Sequence, residues 1–214
     1  MIVVGVTGKY CAGKSTVGEI LEEHGYIQIE VDRLGHEALL AERDRVADEF
    51  GDRVLDEKGG VDRRALADVV FSDDAALRRL ESILHPRMVE MTAARVRELR
   101  GDDEGAGGAG GAGGPNRAGG DSRVGVVINA AILFRMRLHP LCDTVLYVTA
   151  PFFTIWRRAR SRDGASLVQV VKRLRSQRDV APQYSTPDAD IHSVENDGDR
   201  EKLRRQIARL LPLP

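Results

Sequence analysis

The sequence predicts an α/β fold built on a five-stranded parallel sheet flanked by helices. Apolar runs alternate with stretches of helical periodicity, an order typical of parallel strands joined by right-handed crossovers. The first apolar run, residues 2–6, leads through a glycine-rich stretch into a helix that Gly25 is placed to end. At 214 residues the chain suits one domain, or one domain with an inserted lobe.

The glycine-rich stretch at residues 8–15 fits the phosphate-binding pattern G-x-x-x-x-G-K-[ST]. Backbone N–H groups of such a loop and the positive end of the following helix converge on a polyphosphate. Lys14 can then reach the β- and γ-phosphates, and the Ser15 hydroxyl can ligate Mg²⁺. A chance match in an ordinary strand–turn–helix is the alternative, but the flanking strand and helix patterns favour a nucleoside triphosphate site.

Four further strands are predicted at residues 26–32, 123–129, 144–149 and 189–194. The first of these ends at Asp32, on the sheet edge where ligands bind in open α/β sheets. A carboxylate there can accept the proton of an attacking hydroxyl or help to hold Mg²⁺. An N-cap for a helix starting at Leu34 is an equally weighted alternative.

Between the second and third strands the pattern is almost wholly helical from residue 34 to 100, which indicates a helical lobe beside the sheet. Asp62 and Asp73 are candidate N-caps, and Pro86 predicts the start of a new helix. His85 either contacts an acceptor phosphate or, more commonly for a residue before proline, ends a helix. Residues 101–120 are almost entirely Gly, Ala and Asp, and we expect a flexible surface loop there.

Arginines concentrate near the C-terminal third, in two predicted helices that start at Phe152 and at Ser166. Ser166 and Gln169 have the spacing of a capping box. Arg158 and Arg162 are four residues apart, so they share a helix face and can reach one polyphosphate. A solvated helix face is the alternative, but beside a phosphate loop we favour a lid that closes over ATP. A closing helix is predicted at residues 200–211.

Composition excludes several classes of protein. Lys and Arg number 32 against 33 Asp and Glu, so net charge favours neither a nucleic acid nor an anionic membrane. The two cysteines, Cys11 and Cys142, make no disulfide framework. No run approaches the roughly 18 apolar residues of a membrane span, and the N-terminus lacks a leader pattern. We expect a soluble, cytoplasmic monomer without nucleic-acid or membrane partners.

Further stretches match one family in order. They are G-V-T-G-x-x-x-x-G-K-S-T-V at 5–17, I-x-V-D at 29–32, F-G-D-x-V-L at 50–55, G-G-V-D-R-R-A-L at 59–66, V-F at 70–71, L-x-x-I-L-H-P at 80–86, R-A-R-S-R-D-G at 158–164, R-L-R-S-Q at 173–177 and A-D-I-x-x-x-x-N-x-G at 189–198. With them the chain resembles the dephospho-coenzyme A kinases over nearly its whole length, apart from the glycine-rich segment.

The resemblance implies a P-loop kinase that transfers the γ-phosphoryl group of ATP to the ribose 3′-hydroxyl of dephospho-coenzyme A, the last step of coenzyme A biosynthesis. It implies one domain over residues 1–214. Its nucleotide-binding core would consist of residues 1–33, 123–156 and 188–214. A helical acceptor lobe would follow at residues 34–100, a glycine-rich insert at residues 101–122 and a lid at residues 157–187.

The resemblance also implies roles for single residues. The catalytic residues would be Asp32 as general base, with Lys14 and Arg158. Mg²⁺ would accompany ATP, with Ser15 as its protein ligand. The residues expected to bind ATP are Cys11, Ala12, Gly13, Lys14, Ser15, Thr16, Arg162 and Asn196, and those expected to bind the acceptor are Asp32, Arg63 and His85.

The chain departs from the family pattern at two places. Lys9, Tyr10 and Cys11 stand where the family loop is richer in glycine, and Asn129 and Arg135 stand where Asp and Glu are common. The departures concern the acceptor geometry and the Mg²⁺ shell. A related nucleoside monophosphate or small-molecule kinase, or a non-catalytic nucleotide-binding module, therefore remains an alternative.

Overall fold

The computed structural model describes residues 1–101, 124–177 and 190–213. Almost all of the predicted glycine-rich insert and the end of the predicted lid lie outside these residues. The chain forms two compact units, Met1–Ile29 with Ala94–Pro214, and Glu30–Ala93. Among the described helices, none is long and apolar enough to cross a membrane.

The first unit is built on a parallel sheet of five strands in the order β2-β3-β1-β4-β5. The strands are β1 (Ile2–Gly8), β2 (Tyr26–Glu30), β3 (Gly125–Asn129), β4 (Thr144–Thr149) and β5 (Ile191–Glu195). Central β1 pairs with β3 and β4, so that Val4 lies opposite Val127 and Thr144. The predicted fold class is confirmed by this sheet and its flanking helices.

Four helices are assigned wholly to this unit: α1 (Lys14–Glu22), α6 (Phe152–Asp163), α7 (Leu167–Ser176) and α8 (Arg200–Ala208). Side chains of β1 and α1, including Val4, Val6, Val17 and Ile20, are fully buried in its core. Ser166 and Gln169 form the predicted capping box at the start of α7. Residues 9–13 join the end of the central strand to the first turn of α1.

The second unit is helical. It contains α2 (Val31–Ala41), α3 (Arg43–Phe50), a 3₁₀ turn (Asp52–Val54), α4 (Arg63–Ser72) and most of α5 (Asp74–Arg100). Its own core includes Phe50, Val54 and Leu66. Asp62 accepts hydrogen bonds from the first turn of α4, as predicted, and the Asp73 carboxylate accepts one from the Ala75 N–H.

Two predicted boundaries are wrong in ways that affect the site. β2 ends at Glu30 and α2 begins at Val31, so Asp32 lies in the first turn of a helix and neither ends a strand nor caps a helix from Leu34. Val31 fits the strand's alternation, but it is also buried on the same helix face as Ala38.

The second error concerns Pro86, which lies inside the continuous helix α5, so His85 does not end a helix. An interior proline costs a helix about 3 kcal/mol. Buried Ile83 and Met88 on either side show the packing that offsets this cost. Smaller differences are that β3 begins at Gly125, β5 covers Ile191–Glu195 and α8 ends at Ala208.

Candidate phosphate-binding site

The loop between β1 and α1 has the backbone geometry of a tight cradle. Cys11 and Gly13 both have positive φ, 53° and 98°, and Gly13 is the N-cap residue of α1. At Gly8 a Cβ would lie 2.2 Å from the main-chain oxygen of Val148. Glycine is required there because β4 approaches so closely.

The start of α1 provides an electropositive end for this loop. Its first turn contains no acidic side chain, and its N-cap residue, Gly13, has no side chain that could cap it. The Nζ atom of Lys14 donates to the main-chain oxygen of Gly8 at 3.2 Å, so its side chain folds back over the loop. Ser15 is exposed and Thr16 half-buried beside it. The backbone N–H groups at the start of α1, the helix dipole and one ammonium group together favour an anion.

Arg158, on α6, ties three parts of the first unit together. Its Nη1 donates to the main-chain oxygens of Ala12 at 3.0 Å and Cys11 at 3.4 Å. Its Nη2 donates to Oδ1 of Asn196 at 2.8 Å. Burial, and then the neighbouring Arg157, lower the pKa of Arg158 from its ordinary value. A guanidinium stays protonated in proteins, so this is a positive charge held against the loop.

Asn196 follows β5 and is 2 % exposed. Its backbone N–H donates to the main-chain oxygen of Thr149 at 2.8 Å. Its Nδ2 atom lies where a Cβ on Gly13 would approach to 2.1 Å, and within the described residues it has no hydrogen-bond partner. The loop, Arg158 and Asn196, which the sequence predicts as one site although they are far apart along the chain, therefore lie together.

Arg162 lies one turn further along α6 and pairs with its neighbour Asp163, at 2.9 Å and 3.1 Å. Its guanidinium lies 5.3 Å from the centre of the Tyr10 ring. The hydrogen bond from Arg162, and then that from Tyr10, hold the pKa of Asp163 well below its usual range. No sequence pattern predicted that Asp163 pairs with Arg162. Only its position directly after Arg162 could have indicated this pair.

Asn129, at the end of β3, donates from Nδ2 to Oε1 of Gln28 on β2 at 3.1 Å. This is an uncharged amide pair at the carboxyl edge of the sheet. A deprotonated aspartate at position 129 could only accept a hydrogen bond, from Nε2 of Gln28, so asparagine leaves this edge of the sheet without that negative charge. Arg135 is exposed.

The other predicted site residues belong to the second unit. Asp32 is exposed in the first turn of α2, Arg63 is the exposed first residue of α4, and His85 is half-buried on α5. Nη2 of Arg63 lies 2.6 Å from Nε2 of His36. His36 is four residues after Asp32 and shares its helix face. The sequence had not singled out His36, because it matches no motif.

The side chains that could ligate a metal ion near the loop suit Mg²⁺ only in part. Among the described residues no group of three or more His, Cys, Asp or Glu side chains is arranged to hold a metal ion. Mg²⁺ commonly keeps several waters and binds through few protein oxygens together with substrate phosphates. The exposed hydroxyl of Ser15, a hard oxygen donor beside Lys14, fits that kind of site.

Comparisons with known proteins identify relatives of this chain. A family model described as dephospho-CoA kinase matches residues 2–103. A dephospho-CoA kinase of Moorella thermoacetica is 36% identical over 181 residues, covering 83% of this chain and 76% of the relative. One from Geobacter sulfurreducens is 32% identical over 211 residues, covering 97% and 95%.

Solved structures show the same architecture. A crystal structure from Thermus thermophilus matches with a TM-score of 0.70 and 27% identity, covering 98% of this chain and 95% of that one. The dephospho-CoA kinase of Campylobacter jejuni, at 20% identity and a TM-score of 0.57, covers 97% and 94% and shares the fold. By its sequence likeness over almost its full length, this chain belongs to the dephospho-CoA kinase family.

Proposed function

We propose that this protein transfers the γ-phosphoryl group of ATP to the ribose 3′-hydroxyl of dephospho-coenzyme A, giving coenzyme A and ADP. The proposal is carried by one observation: the side chains of Lys14 and Arg158 both donate hydrogen bonds to main-chain oxygens of the loop between β1 and α1. Membership of the dephospho-CoA kinase family supplies the acceptor.

In the donor half, the loop and the first turn of α1 hold the β- and γ-phosphates. Residues 11–16 line this cradle. Ser15 would supply its hydroxyl as a ligand to Mg²⁺, and the metal would neutralise part of the phosphate charge. Phosphoryl transfer depends mainly on positioning and on charge placed where the transition state needs it. Lys14 and Arg158 supply that charge, Arg162 adds a second phosphate contact, and Asn196 borders the adenine pocket.

In the acceptor half, Asp32 orients the 3′-hydroxyl and accepts its proton. Arg63 and His85 meet the phosphates of dephospho-coenzyme A. Asp32 and His36 lie on one face of α2, and His36 contacts Arg63, so the second unit presents a carboxylate and a guanidinium from neighbouring helices. We propose that the reaction takes place in the cytoplasm, where ATP is available and where free cysteines such as Cys11 and Cys142 stay reduced.

The test is ADP release by the purified protein with dephospho-coenzyme A, compared with adenosine, AMP and other nucleoside monophosphates. Dephospho-coenzyme A should accelerate release, and Lys14→Ala should abolish it. Asn129 and Arg135 give a reason to test the other acceptors, because a nucleoside monophosphate kinase would prefer one of them. Binding of ATP without acceleration by any acceptor would instead indicate a nucleotide-binding module.

A further inference from the structure

Tyr10 is a loop residue whose side chain the phosphate chemistry does not use. The x positions of the phosphate-binding pattern do not call for an aromatic ring, because backbone N–H groups do the binding. Tyr10 is nevertheless half-buried, and it packs with Cys11 against the small apolar cluster of α6 and α7. That cluster contains Ile155, Ala159 and Val170. A side chain of the loop thus enters the apolar core that α6 and α7, called the lid helices below, share.

The Tyr10 ring lies between two arginines, one from each lid helix. The guanidinium of Arg162 is 5.3 Å from the ring centre, and that of Arg173 is 4.8 Å away. Both distances are within the range in which a cation is attracted to an aromatic face. The same ring thus contacts α6 and α7 at once.

Hydrogen bonds close the same cluster. The Tyr10 hydroxyl donates to the Asp163 carboxylate and accepts from Nη1 of Arg173 at 2.5 Å. Asp163 also pairs with Arg162 and, at 3.1 Å, with Arg173. The Tyr10 backbone N–H donates to Oε1 of Gln177 at 2.7 Å. Tyr10, Arg162, Asp163, Arg173 and Gln177 are called the Tyr10 cluster below.

The charges in the Tyr10 cluster explain why a neutral phenol suits the position. Two guanidinium groups face one carboxylate, and the phenol hydroxyl bridges the carboxylate and Arg173. Burial, and then the hydrogen bond with Asp163, raise the pKa of Tyr10, so the hydroxyl keeps the proton that it donates. An aliphatic side chain of similar bulk would fill the apolar space but make none of these polar contacts.

We propose that Tyr10 is a positioning residue that docks the α6–α7 pair onto the phosphate loop and orients Arg162 for its contact with ATP. The docking stands on the Tyr10 cluster alone. The effect on ATP rests on the proposed function. A lid held in place before ATP arrives loses less conformational entropy on binding, so docking favours ATP affinity.

The docking is tested by hydrogen exchange of the full chain without nucleotide. Tyr10→Ile, which removes ring and hydroxyl, should raise the exchange rate of backbone amides in α6 and α7 about tenfold, and Tyr10→Phe, which keeps the ring, about threefold. Lys172→Ala, which removes an exposed positive charge of α7, is the matched control and should leave exchange unchanged. Unchanged exchange in Tyr10→Ile, or equal acceleration throughout the sheet, overturns the docking role.

The effect on ATP is tested by kinetics and by calorimetric titration. Tyr10→Ile should raise the KM and the Kd for ATP about tenfold while kcat falls less than threefold, and Tyr10→Phe should recover most of the affinity. An undocked lid with unchanged ATP affinity would overturn the orienting role. If the wild-type protein phosphorylates no acceptor, the proposed function fails, but exchange and ATP titration still decide the role of Tyr10.

Discussion

Replacing Arg158 with lysine tests the centre of the site, because it keeps the positive charge and removes the forked donor. Two of the contacts of Arg158 are short, 3.0 Å to the Ala12 oxygen and 2.8 Å to Oδ1 of Asn196. A lysine ammonium reaches one of these acceptors but not both, since they require two separate guanidinium nitrogens. The other acceptor then loses its charged donor.

A hydrogen bond to a charged group contributes roughly 1.5–3 kcal/mol to stability. Arg158 is partly exposed, so water replaces some of the lost contact, and we expect Arg158→Lys to lower the free energy of unfolding by about 1.5 kcal/mol. For a chain of this size that is a fall in Tm of about 3–6 °C. Because one directed donor is lost from the transition state, kcat should fall by about 10²-fold.

Thermal unfolding and ADP release measure the two effects separately. Arg157→Lys is the matched control, since Arg157 precedes Arg158 on α6 and is exposed; its free energy of unfolding should change by less than about 0.5 kcal/mol. A wild-type Tm and kcat in Arg158→Lys, or an equal loss of both in Arg157→Lys, would contradict this role of the Arg158 guanidinium.

Three other experiments test the role of Asp32, the close approach of β4 to Gly8 and the burial of Cys142. Asp32→Asn should lower kcat about 10²-fold with little change in the KM for ATP, and an unchanged kcat would leave Asp32 only as a favourable charge in the first turn of α2. Gly8→Ala should destabilise the fold by about 3 kcal/mol or more in urea unfolding, because the added Cβ meets main-chain oxygen of Val148 at 2.2 Å; a loss below about 1 kcal/mol would contradict this. Burial, and then Asp143, raise the pKa of Cys142 to about 12, so iodoacetamide at about pH 9 should modify Cys142 only after unfolding. Equal labelling of Cys142 in the folded and the unfolded protein would disprove its burial. Because the unfolded thiol ionises near pH 8.5, the contribution of the buried Cys142 thiol to the free energy of unfolding should be lost as pH rises from about 9 to about 12.

Features set by local chemistry were predicted well from the sequence. The capping box of Ser166 and Gln169 depends on residues three apart. β4 has the predicted bounds because its run of β-branched and apolar residues lies between Asp143 and the Ala150–Pro151 pair. The loop pattern also placed Lys14 at the start of α1. Each of these depends on neighbours within one turn or one strand.

Features decided by packing were not predictable in the same way. Val31 fits both a strand and a helix, and only its burial with Ala38 decides for the helix. Pro86 stays helical because residues around it are buried. The contacts of Tyr10 with Arg173 and Gln177 join residues more than 160 positions apart, and no local pattern encodes them. The sequence shows that Tyr10 departs from the family loop, but it does not indicate which residues the Tyr10 side chain contacts.

Transfer of a phosphoryl group from ATP to dephospho-coenzyme A can be measured directly. The most direct measurement follows ADP formation by the wild-type protein with ATP, Mg²⁺ and dephospho-coenzyme A, and identifies the acceptor product by mass and by phosphorus NMR. We expect acceptor-dependent ADP formation and a product with one new phosphate on the ribose 3′-oxygen. ADP formation that is unaffected by dephospho-coenzyme A, or a faster reaction with a nucleoside monophosphate, would contradict it.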